Sequence, residues 1–279
     1  MGFWEKAQQV DRRIIYTLMI ITLAVAMIKP VGLAISVNKE TQMAYDAIEK
    51  LPAGSIVWLG CDFSAGGMPE LIPTLQSVMI QGFRKNLRFV AGGMWNMAGN
   101  MAEVAWTAVQ PMFPGKKYGV DFVNVGYKAG GNVLLEKMVS DAHTAFVGVD
   151  HYGKPLKDLP LMNEFKSFKD IKFIFGFFTG TPGERDYIKF VGGPLGVPIA
   201  SSCVAVSVPE TMPFVQSGQL VGLVGGMRGA AEYEVLVKVP GRATAGMDAQ
   251  AFAHLLIIAF IVIGNLGYVF TKGKSGKTT

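Results

Sequence analysis

Cysteine and histidine are scarce in this chain of 279 residues, which holds two of the first and three of the second. So few ligands exclude a zinc ribbon, an iron–sulfur centre or a scaffold built on disulfides. Charged residues are sparse too, at 17% against 50% hydrophobic. That balance excludes a disordered chain and argues against a fully soluble enzyme. The 34 glycines follow no G-X-Y period, so a collagen-like chain is out. No Walker A or G-x-G-x-x-G motif stands at a strand-to-helix turn, and no G-x-S-x-G elbow occurs. A nucleotide site and a serine-hydrolase nucleophile therefore have no motif behind them, and no cofactor is expected.

What the chain has instead is two long apolar runs. Ile14–Ser36 is interrupted only by Lys29-Pro30, and Ala249–Phe270 by His254 and Asn265. Each approaches the roughly 20 residues that a helix needs to cross the hydrocarbon layer. A cleaved signal peptide fits the first run poorly, because Lys29-Pro30 breaks it and no small-x-small site follows. The expectation is two transmembrane helices, 14–36 and 248–271, around a middle domain, 37–247. A cytoplasmic amphipathic segment, 1–13, precedes them and a basic tail, 272–279, follows. The middle carries 19 basic against 18 acidic residues, so most of the net charge of +5 lies in the flanks. Lys and Arg beside a span favour the cytoplasmic side. Both termini are thus expected in the cytoplasm, with the middle domain outside the cytoplasmic (inner) membrane. A near-neutral middle domain also offers no basic face for nucleic acid. Trp4, Lys29 and Lys272 read as interfacial anchors, with Lys29 snorkelling from about fifteen residues into the first helix. Gly264, Asn265 and Gly267 read as a helix-packing patch against the first span or another protomer.

In the middle domain, short apolar runs alternate with helical patterns. Strands are expected at 55–61, 87–92, 121–126, 171–178, 197–206 and 220–224, with a less clear one at 145–149. Helices are expected at 39–51, 68–86, 100–110, 132–143, 182–191, 209–216 and 227–237. Continuous apolar strands separated by amphipathic helices indicate a mostly parallel sheet covered on both faces. The fold class is therefore α/β, a single Rossmann-like three-layer domain.

Ligands in such folds bind outside the carboxyl ends of the strands. Small and polar residues gather there, and Asp62, Ser64, Trp95, Lys128, Gly130, Thr179, Thr181 and Arg228 form the candidate crevice. Tight turns and helix caps account for many of them equally well. Thr181-x-x-Glu184 and Ser207-x-x-Glu210 match capping boxes, with Pro182 at a first helical position. His143 and His151 match no metal spacing, and no metal is expected. Cys61 and Cys203 lie in apolar strand runs, as inert core residues or as a pair.

Three functions fit this inventory. The leading one is a membrane protein whose outer domain and spans assemble with the bilayer, further copies or other membrane proteins. It is favoured by the packing features and by the lack of catalytic motifs. The second is an extracytoplasmic domain that binds or senses a small ligand in the glycine-lined crevice. The third is an anchored hydrolase or transferase using Asp62.

Overall fold

The computed structural model describes residues 10–275, with side chains to residue 271. Residues 1–9 of the segment read as amphipathic, Trp4 among them, lie outside the described residues, as does the side chain of Lys272. The chain separates into two compact units, 35–243 and a second made of 1–34 with 244–279.

In the larger unit six strands form one sheet: β1 (Ile56–Asp62), β2 (Arg88–Gly93), β3 (Phe122–Tyr127), β4 (Phe173–Phe178), β5 (Ile199–Cys203) and β6 (Gly222–Gly225). All pair in parallel, in the order β3-β2-β1-β4-β5-β6. This is the doubly wound Rossmann-like order, and the winding reverses between β1 and β4. Strands β1 and β4 are buried along their whole length, so both faces must be covered. Alternate residues divide accordingly. Val57, Leu59, Cys61, Phe173, Phe175 and Phe177 join the core on one face. That face is covered by α2 (Lys39–Glu49), α3 (Met68–Arg84), α4 (Ala98–Val109) and α11 (Gly226–Leu236). Trp58, Val90, Val123, Ile174 and Phe178 join the core on the other face. Its cover comes from α5 (Gly131–Ser140), α6 (Ala142–Ala145), α7 (Pro160–Glu164) and α8 (Glu184–Tyr187). A short helix α9 (Gly193–Leu195) precedes β5, and α10 (Val208–Gln216) follows it.

Several local expectations fail for identifiable reasons. The run 145–149 is no strand: α6 ends there, Val147 and Gly148 take positive φ, and Val149 makes only an isolated bridge to Pro155. The helix expected over 132–143 breaks at Asp141, whose carboxylate caps α6 through the Thr144 N–H at 3.0 Å. Neither expected capping box forms. Helix α8 starts after Gly183, whose N–H donates to Asp186, and Ser207 makes no side-chain cap bond to α10. Cys61 and Cys203 are free thiols. They lie two strands apart, about 10 Å, on opposite faces of the sheet, beyond disulfide reach.

In the smaller unit, α1 (Arg12–Ile28) starts at Asp11, whose carboxylate accepts the Arg13 N–H at 2.8 Å. It ends eight residues before the expected Ser36. Pro30 has no N–H and keeps the residue before it out of the helical region, so Lys29 is the C-cap and not an interior residue. The chain beyond has no regular secondary structure, and the buried Asp248 carboxylate accepts the N–H groups of Gly32 at 2.7 Å and Leu33 at 3.0 Å. Helix α12 (Arg242–Ser275) contains, over 242–271, the one stretch among the described residues long and apolar enough to cross a membrane. Within it Gly267 is buried, while Asn265 is exposed and donates its side-chain amide to Ile261 O at 2.8 Å. Gly264 faces open space.

Candidate functional site

Because every strand runs the same way, Asp62, Trp95, Lys128 and Thr179 all follow carboxyl ends at one edge of the sheet. The structure joins some of the predicted residues and separates others. At the β1/β4 reversal, Thr179 N–H donates to Asp62 O at 3.2 Å, and Ser64 N–H donates to Thr179 Oγ1 at 3.1 Å. The Asp62 side chain is fully buried. Its Oδ1 accepts the backbone N–H of Met94 and, at 3.2 Å, that of Trp95. Its Oδ2 accepts the Tyr187 hydroxyl at 2.9 Å, and that hydroxyl accepts Trp58 Nε1–H at 3.2 Å. Burial raises the Asp62 pKa to about 7, with these three donors opposing the rise. Asp62 thus ties β1, the loop after β2 and α8 together, and is closed to substrate. Trp95 lies against Gly180, and a Cβ there would come within 2.9 Å of the indole.

The helix following β1 is unsuited to phosphate, which a helix N-terminus of this fold commonly holds. Proline stands in the first turn and supplies no N–H. Glu70, also in that turn, accepts the Ala205 N–H at 2.8 Å and places negative charge where an anion would sit. A Cβ on Gly67 would lie 2.5 Å from the Thr179 methyl, so its close approach serves packing.

Lys128 and Gly130 stand apart from that centre. Lys128 Nζ donates to Val149 O at 3.2 Å, and burial lowers its pKa while Asp150 opposes the change. The side chains around Lys128, including Trp58, Met94, Leu134 and Phe146, leave no room for a water-sized guest. Gly130, at φ +148°, opens α5 in a conformation that suits glycine. Arg228, after β6, is engaged with the buried Glu232 at 3.1 Å. Glu232 also accepts Thr41 Oγ1–H at 2.7 Å and Asn38 N–H at 3.1 Å, so this cluster anchors α2. His143 contacts the carbonyls of Met162 and Phe165, and no metal-holding cluster occurs among the described residues.

One of several clefts in the α/β unit lies over the carboxyl ends of β4 and β5. With a volume of about 360 Å³, it is lined by the 178–186 segment and by one side of α10. Of the predicted residues, Thr179 and Thr181 line it. The side chains that shape it were not predicted. Glu184 is half-buried, and its Oε1 accepts the hydroxyls of Thr211 at 2.8 Å and Ser201 at 3.3 Å. Both hydroxyl residues are buried. Asp186, Glu210, Phe214 and Arg185 complete the polar wall and rim. Burial, and after it the Glu184 charge, push the nearby Cys203 thiol up to about 12, so it is no nucleophile at neutral pH. The sequence signal was the Ser201-Ser202 pair inside a buried strand, since a buried hydroxyl needs a partner.

No protein-family model matches the chain, and no curated protein matches its sequence.

Proposed function

We propose that this protein is a membrane-anchored α/β domain that binds a small polar ligand in the cleft over the carboxyl ends of β4 and β5. The observation that carries the reading is the cleft itself. Its volume of about 360 Å³ falls at the low end of small-molecule sites, roughly 300–1,000 Å³. It adjoins the winding reversal, where open parallel sheets bind ligands. Binding without chemistry fits the roles of the remaining groups, since Asp62 is closed off and Cys203 is unreactive. The long apolar α12 supplies the anchor. Helix α1, with 17 residues, stands at the lower limit of spanning length, about 17. In this reading both helices enter the bilayer, their basic flanks lie in the cytoplasm, and the α/β unit stands outside.

The test is a thermal-stability screen of the detergent-solubilised chain against small polar compounds. A ligand present at 100 times its Kd stabilises by about 2.7 kcal/mol. Thr181→Trp places an indole in the cleft from an exposed position and should abolish the shift. A shift of equal size in the variant would put the ligand elsewhere.

Self-association is the second reading, favoured by one observation. Asn265 and Gly264 lie exposed on an apolar helix, and a second helix covering them would shield the amide from lipid. Ligand binding and assembly are compatible in one molecule.

A further inference from the structure

We infer that the β4–β5 cleft takes a small organic cation, an ammonium or guanidinium group seated on Glu184 and flanked by Phe214 and Glu210. The inference rests on the reading of the cleft as a ligand site and names the class of its ligand.

Glu184 carries the argument. Two buried hydroxyls fix its Oε1, at 2.8 and 3.3 Å. No hydrogen bond reaches Oε2, and no cationic side chain pairs with Glu184 among the described residues. A half-buried carboxylate held this way favours a positive partner arriving from the open side, because charge-assisted hydrogen bonds are the stronger kind.

The rim repeats the preference. Arg185 places its guanidinium 6.0 Å from the centre of the Phe214 ring and 3.8 Å from Glu210 Oε1. An aromatic face beside a carboxylate is a seat for a cation. Arg185 occupies it weakly, since both side chains of the ion pair are more than 70% exposed, and pairs of that kind contribute little. A ligand cation can displace it.

The charges lining the cleft agree. Glu184, Asp186 and Glu210 stand against Arg185 alone, so an anionic ligand meets net repulsion. The three acids do not converge into a metal-holding group. An extended organic cation, with one end on Glu184 and the other at the rim, meets both features.

Calorimetric titration of the full chain in detergent tests this with three probes of similar length: agmatine as the cation, 1,4-butanediol as the neutral probe and glutarate as the anion. Agmatine should bind, glutarate should not, and Glu184→Gln should weaken agmatine at least tenfold. Arg185→Ala, which empties the rim seat that the ligand must otherwise take from it, should raise its affinity a fewfold, which separates loss of the seat from loss of the fold. If butanediol or glutarate binds as tightly as agmatine and Thr181→Trp abolishes that binding, the cationic class is overturned and the cleft stands. If agmatine binds but neither Glu184→Gln nor Thr181→Trp affects it, the cation sits elsewhere and the inference fails. Failure of all three probes also overturns the cationic class, leaving the cleft to the wider compound screen.

Discussion

The α/β unit should lose stability as pH rises from about 4 to about 7, and Asp62→Asn should remove most of that loss. Burial raises the Asp62 pKa from its ordinary 3.8 to about 7 in the folded protein. Below pH 4 the carboxyl is neutral in both folded and unfolded chains. Between pH 4 and 7 the unfolded chain ionises first, so each step upward favours unfolding. Above about 7 both forms are ionised and the full penalty remains. A shift of about three pKa units corresponds to about 4 kcal/mol, a large share of the 5–15 kcal/mol that holds a typical domain together. Asp141 and Glu164 act in the opposite sense, because hydrogen bonds from Thr144 and Arg88 respectively hold their carboxyls below the usual range. Both are solvent-exposed, so their contributions are small. Asparagine keeps an oxygen for the Met94 and Trp95 N–H groups while removing the titration. Chemical denaturation between pH 4 and 8 measures the effect. Parallel pH profiles for wild type and variant would contradict the assignment.

Trp58→Ala should be the most damaging single substitution in the core under Asp62. The indole is fully buried. It stacks on Phe146 at 5.8 Å and 3°, and meets Phe168 at 5.1 Å and Phe165 at 6.5 Å. Removing such a side chain costs about 3–5 kcal/mol, which for a unit of this size lowers Tm by roughly 6–20 °C. The Tyr187 hydroxyl also loses the donor that braces it towards Asp62. Trp58→Phe should recover most of the packing without the hydrogen bond. Denaturant midpoints for the three proteins separate the two contributions, and a loss under 1 kcal/mol for Trp58→Ala would show that the aromatic cluster collapses to fill the gap.

The sheet was legible in the sequence because its strands are buried on both faces and therefore read as apolar runs. Val57 to Cys61 and Phe173 to Phe178 contribute to both cores, as strands of a parallel sheet between helical layers do. Placement along the edge followed from the same logic, so Asp62 and Thr179 were located from the strands alone. The five-residue run at 145–149 defeated it, since length and hydrophobicity do not separate a strand from a buried turn. Positive φ at Val147 and Gly148 is invisible to a pattern of apolar residues. Pro30 was visible, but the apolar residues beyond it outweighed the backbone rule. Glu184 was misread because its spacing from Thr181 matches a cap. Its actual partners, Ser201 and Thr211, lie 17 and 27 residues further along, and only the fold brings them together. Arg228 and Lys128 were placed at the right edge, yet each is occupied by a structural partner, Glu232 and the Val149 carbonyl.

The most direct test of the ligand-site account is the native mass of the whole protein extracted in mild detergent and released from it in the spectrometer. The account predicts that each 30.1 kDa chain carries a small molecule, present in wild type and absent from Thr181→Trp, whether the particles contain one copy or several. Bare chain in wild type and variant alike, after extraction under conditions that keep weak ligands bound, would contradict it. If those bare chains formed a uniform oligomer that Gly264→Leu disrupts, assembly through α12 would take the place of ligand binding.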